Sequence, residues 1–174
     1  MTSSKSLMLK CLMLRSQRKK FKRKLMLIGV KKNKRLKVIL DANWYISACI
    51  SRKSRRTVYY QILKNTDLQL FYSQELVAEF DDVINRPKFA KIVTAKQVSR
   101  FKSIILKFLN RTTLGTLPDL VRDKNDNYLL GICAGCQADF LITGDNDLLV
   151  LEEYQKTKIL SMGQFLLLLS TIKS

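Results

Sequence analysis

Acidic residues in this 174-residue chain recur where apolar runs end or on one face of an amphipathic stretch. Asp41 closes the run Leu36 to Leu40, and Asp145 and Asp147 follow Phe140-Leu141-Ile142-Thr143. Glu79 lies in a helical stretch after Ser73, and Asp126 stands at the start of another. Carboxylates brought within a few ångströms raise one another's pKa, so a fold that gathers them needs a cation or shared protons. Oxygen ligands of this kind suit Mg²⁺ or Mn²⁺. The chain has no histidine, which excludes Ser-His-Asp and Cys-His nucleophile systems, His-ligated zinc hydrolysis and a His general base. Any hydrolytic chemistry falls to acids and metal.

Each acid also has a plainer use. Asp126 could be only a helix N-cap, and Asp123 and Asp147 could be turn residues. Glu79 could be a solvated helix residue, with Glu75 four positions away on the same face. Asp41 has the weakest such alternative, because a carboxylate directly after an apolar strand must find a partner or water.

The elements that must position these acids alternate. Strands are expected at Leu36 to Leu40, Leu68 to Tyr72, Thr112 to Leu117, Phe140 to Thr143 and Lys158 to Leu160. Helices are expected at about Arg55 to Asn65, from Ser73 as N-cap to about Asn85, over Ala95 to Asn110, from Asp126 through Gln137, and at the C-terminus, with a short turn opened by Pro87. Pro118 to Asn125 reads as a polar loop. Strands separated by helices predict a mainly parallel α/β sheet, whose strand ends are where such sheets bind ligands.

The net charge of +18 at first suggests a nucleic-acid binder throughout, but it is unevenly distributed. Residues 1–37 carry 14 Lys or Arg and no acid, so the rest carries 32 − 14 = 18 basic against 14 acidic side chains, a net of +4. A balanced globular domain, residues 36–174, therefore follows a basic extension, residues 1–35. That extension reads as a disordered or loosely helical tail, as residues added by an upstream translation start, or as an electrostatic arm for RNA phosphates. Its apolar runs are too short or interrupted for a signal-peptide core or a spanning helix, and a cytoplasmic protein without membrane association is expected. Cys133 and Cys136 form a lone CxxC without other soft ligands and read as small core residues.

Rival sites fail on their spacing. From Asp123 the chain begins like a calcium loop but has Tyr128 where Gly is needed and Ala134 where Glu is needed. Asp41 lacks the second Asp two residues on that an aspartyl-phosphate phosphatase uses, and there is no Gly-rich loop followed by Lys.

The segments Val38 to Asn43, Ser73 to Glu79 continuing to Arg86-Pro87-Lys88-Phe89, Arg122 to Asn127, and Leu141 to Leu149 together resemble the PIN domain, more narrowly the bacterial PIN proteins regarded as toxins of toxin–antitoxin pairs. The resemblance runs from about Leu36 to Leu169. It implies a three-layer α/β/α domain and a Mg²⁺- or Mn²⁺-dependent endoribonuclease. Asp41, Glu79, Asp126 and Asp145 match the family's acids. Asp41, Asp126 and Asp145 would be metal ligands with Asp147 as an accessory acid, Glu79 would hold a second metal or orient water, and Asn43 and Thr143 match supporting polar positions. Ala42 departs from the Thr or Ser often found there. The resemblance also implies dimers and a small antitoxin partner. Arg52, Lys53, Arg55 and Arg56, aided by Lys88, Arg122 and Lys124, would track RNA phosphates without reading bases, and Trp44 could stack a base or pack in the core. A non-catalytic PIN-like RNA-binding module is the alternative.

Overall fold

The computed structural model describes residues 35–116 and 127–172. The chain divides into two compact units, one comprising Arg35–Met162 and the other including the C-terminal segment from Gly163.

The first unit is built on a six-stranded sheet: β1 (Leu36–Leu40), β2 (Leu68–Tyr72), β3 (Leu109–Arg111), β4 (Phe140–Ile142), β5 (Glu153–Tyr154) and β6 (Thr157–Leu160). Their spatial order is β3-β2-β1-β4-β6-β5, parallel throughout except for the antiparallel β5–β6 pair at one edge. Val38, Ile39, Leu40, Leu141 and Ile142 are fully buried. Such uninterrupted apolar runs mark strands covered on both faces, and they form the centre of this core.

Eight α-helices occur among the described residues: α1 (Ala42–Ile50), α2 (Arg52–Arg56), α3 (Gln74–Ile84), α4 (Pro87–Ala90), α5 (Ala95–Ile105), α6 (Asn127–Cys136), α7 (Asn146–Leu149) and α8 (Met162–Ile172). α1 packs on α2, α3 and α5, while α6 packs on β1, β2 and β4. Leu76, Phe80 and Ile84 form the buried stripe of α3, and Phe80 stacks on Phe101 of α5 at 6.1 Å. α8 buries Phe165, Leu168 and Leu169. No helix among the described residues is long and apolar enough to cross a membrane.

The expected mainly parallel α/β sheet is present, with local differences. The expected strand at Thr112 to Leu117 lies earlier, at Leu109–Arg111, where Leu109 pairs with Leu70 and Arg111 with Tyr72. Beyond it Gly115 turns to α6, its N–H donating to the Gly131 carbonyl at 2.8 Å instead of to a strand. A Cβ on Gly135 would stand 2.2 Å from the Thr113 carbonyl oxygen, so only glycine admits this crossing. The helix expected to reach Asn110 therefore ends at Ile105 and tightens into a 3₁₀ turn, Leu106–Phe108, before β3. The helix expected from Arg55 begins at Arg52 and widens into a π-helical segment, Thr57–Leu63, closed by Lys64 N–H bonding the Tyr59 carbonyl at 3.0 Å. α1, α7 and β5 were not anticipated. The expected Pro118 to Asn125 loop, the Asp126 helix start, Asp123, Arg122, Lys124 and residues 1–34 of the basic extension lie outside the described residues.

Candidate functional site

β1 leads outward through β2 to β3, whereas the chain returns to place β4 on the opposite side of β1. The crevice between β1 and β4 is thus a topological switch point, where open parallel sheets bind ligands beyond the strand ends. The register Leu40↔Ile142 brings the next residues, Asp41 and Thr143, side by side. Asp41 N–H donates to the Ile142 carbonyl at 3.0 Å.

Asp41 is buried, with 2% of its surface exposed. It caps α1 by accepting from the Asn43 backbone N–H at 2.9 Å, and Thr143 Oγ1 donates to its other oxygen at 2.5 Å. The fully buried Thr143 hydroxyl also accepts the Asp145 N–H at 3.0 Å, so one side chain ties the two acidic loops together. Asp145 then caps α7, accepting the Asp147 N–H at 2.7 Å. Burial pushes the Asp41 carboxyl above its ordinary range and the charge of Asp145 adds to this, while the bonds from Thr143 and Asn43 pull it back. Ala42, at the position of departure from the resembled motif, is buried completely.

Glu79 and Glu75, equivalent by periodicity, differ in surroundings. Glu75 is exposed, whereas Glu79 is half-buried and accepts a hydrogen bond from the Tyr128 hydroxyl. Tyr128 was missed from the sequence, since a tyrosine next to a cluster of polar residues carries no signal of where its hydroxyl points. The Trp44 ring nitrogen is buried without a hydrogen-bond partner among the described residues.

The basic cluster divides. Arg55 Nε and Nη2 donate to the carbonyls of Ala48 and Cys49 at 2.9 and 2.6 Å, satisfying the C-terminus of α1. Arg52, Lys53 and Arg56 are exposed. Lys88 lies over the Phe89 ring, 4.9 Å from its centroid. Cys133 and Cys136 are buried free thiols inside the first unit, with no zinc-type cluster among the described residues.

Among the described residues no three acidic or sulfur side chains converge to hold a metal by themselves; Asp126 falls outside them. The chemistry of the donors nonetheless suits a hard cation. Asp41 and Asp145 offer oxygen ligands, and Asp41 carries a cost of burial and repulsion that a cation would offset.

Comparison with known proteins agrees with this architecture. The chain is similar to the crystal structure of PAE2754 from Pyrobaculum aerophilum, with a TM-score of 0.56 and 16% identity over 78% of this chain and 90% of that one, a likeness of fold. No curated protein matches it. PIN domains are generally nucleases and typically bind divalent metals. The PIN domain family matches residues 37–147, a span from β1 through Asp145 and Asp147 that includes the whole switch-point crevice, and the chain belongs to that family.

Proposed function

We propose that the protein is a Mg²⁺- or Mn²⁺-dependent endoribonuclease whose centre is formed by Asp41, Asp145 and Asp126, with Glu79 beside them and Asp147 as an accessory acid. The supporting observation is the junction of β1 and β4, where Thr143 holds the buried Asp41 and the Asp145 backbone through one hydroxyl. When bound, a divalent cation supplies a Lewis acid for the phosphoryl oxygens and lowers the pKa of water. Asp41 and Asp145 would hold it, with Thr143 fixing the Asp41 carboxylate by its hydrogen bond. Glu79, steadied by Tyr128, would orient the attacking water and take its proton, the leaving 3′-oxygen would be protonated from solvent, and no protein nucleophile is used. Hydrolysis leaves a 5′-phosphate and a 3′-hydroxyl. The motifs shared with toxin components extend the reading to a cytoplasmic toxin that forms dimers and is held by a small antitoxin.

The test is cleavage of an end-labelled single-stranded RNA by the whole chain with Mn²⁺, Mg²⁺ or EDTA, beside a folded Asp41→Asn variant. Metal-dependent cleavage that the variant lacks is expected. RNA binding without cleavage under either metal refutes the nuclease and leaves a binding module. Where a short reading frame adjoins this one, its co-expression giving an inert complex that is activated by removing the small protein supports the toxin assignment.

A further inference from the structure

A second concave region lies at the far end of α1 from Asp41. The nine residues of α1 separate the two regions by roughly 15 Å, at about 1.5 Å per residue including both caps. This pocket of about 660 Å³ lies between α2, the π-helical segment and α5. Among the described residues, three arginines and no acid line it. All three are exposed, but Arg55 is engaged by the α1 carbonyls, whereas Arg52 and Arg56 make no ion pair among the described residues. Phe101 and Ile104 of α5 supply an apolar wall. Tyr60 remains 64% exposed although its ring is set by a T-shaped contact with Tyr59 at 5.0 Å.

We infer that this pocket is a subsite for single-stranded RNA, taking the phosphates on Arg52 and Arg56 and stacking a base on Tyr60 a few nucleotides away from the bond at Asp41; it rests on the ribonuclease reading. The combination of features selects the occupant. Free guanidinium groups without an opposing acid recruit an anion, and a large aromatic face held in solvent suits a base, since every base presents a π-face. A peptide of acidic residues would satisfy the arginines but has no ring to stack on Tyr60. A duplex keeps its bases stacked and unavailable.

The experiment measures binding by fluorescence anisotropy, using the whole chain in EDTA so that no strand is cut. One labelled strand carries bases and a second of equal length is abasic. Tyr60→Ala is expected to weaken binding of the base-bearing strand by about tenfold, the size of one stacked base, while leaving the abasic strand unchanged. Tyr60→Phe restores it. Arg56→Ala is expected to weaken both strands and to lower the salt slope by about one. Any phosphate binding by the basic N-terminal residues is common to both strands and cancels in the comparison. Equal affinities of wild type and Tyr60→Ala for the base-bearing strand overturn the inference. So does a poly-glutamate peptide whose binding, and not that of RNA, depends on Tyr60. Loss of the base-dependent difference with cleavage intact sinks the subsite alone; an intact difference in a protein that never cleaves sinks the nuclease alone.

Discussion

Thr143→Val replaces a hydroxyl by a methyl of nearly the same shape at a residue with no exposed surface. It deletes the bond donated to the Asp41 carboxylate at 2.5 Å and the bond accepted from Asp145 N–H at 3.0 Å. A hydrogen bond to a charged group contributes about 1.5–3 kcal/mol and a neutral one about 1 kcal/mol, so a loss of about 3 kcal/mol is expected. For a domain of this size that lowers the Tm by roughly 6–12 °C. Thr143→Ser keeps both bonds and loses only a methyl, at a cost of about 1 kcal/mol. Urea and thermal unfolding in EDTA measure all three proteins.

The pH dependence of that loss is fixed in sign. The folded Asp41 carboxyl lies above its ordinary value of 3.8, so its ionised form costs the fold stability at neutral pH and the protonated form, below 3.8, does not. Removing the Thr143 donor raises that carboxyl further. The difference between wild type and Thr143→Val is therefore largest at neutral pH and narrows as pH falls through the folded pKa toward 3.8, leaving the Asp145 N–H contribution. A variant within about 0.5 kcal/mol of wild type at neutral pH, or one whose deficit grows on acidification, refutes the reasoning; the first figure is the ordinary scatter of a surface substitution.

Arg55→Ala uncovers the Ala48 and Cys49 carbonyls and is expected to cost about 1–2 kcal/mol by urea unfolding, more than Arg52→Ala or Arg56→Ala, which should affect RNA binding instead. Tyr128→Phe removes the donor to Glu79 with the ring retained, so cleavage is expected to fall about tenfold or more with a Tm change of a few degrees at most; unchanged cleavage separates Tyr128 from the site. Burial pushes the Cys136 thiol up to about 11 and Cys133 higher still, so iodoacetamide at pH 8 should leave the peptide bearing both unlabelled in native protein and label it after unfolding, as mass spectrometry would show.

The sheet was legible because its strands are short apolar runs bounded by polar residues, and so was the placement of Asp41 and Asp145 one and three residues beyond two of those strands. α1 was not, because Trp44, Tyr45 and Ile46 carry strand propensity while its less buried face, Asn43, Trp44, Ser47 and Ile50, has only two polar residues to display the helical period. β3 was misplaced because Thr112 and Thr113 resemble a strand locally, whereas the Gly115–Gly135 approach that diverts them is made with a helix distant in sequence. Periodicity put Glu75 and Glu79 on one face, the motif continuing to Arg86-Pro87-Lys88-Phe89 chose Glu79, and the Tyr128 hydroxyl that bonds it carried no signal in the sequence. Arg55 looked like its basic neighbours, and only the open carbonyls at the end of α1 distinguish it.

The hydroxyl of Thr143 reaches back across 102 positions to Asp41. During synthesis from the N-terminus, β1 and β2 can pair long before β4 has left the ribosome, and contacts of such sequence separation form late. A nascent or prematurely terminated chain ending before Phe140 thus contains Asp41 and Glu79 with neither Thr143 nor Asp145. The crevice is completed only when β4 docks on β1, so a chain arrested anywhere before Phe140 carries one wall of it without the other.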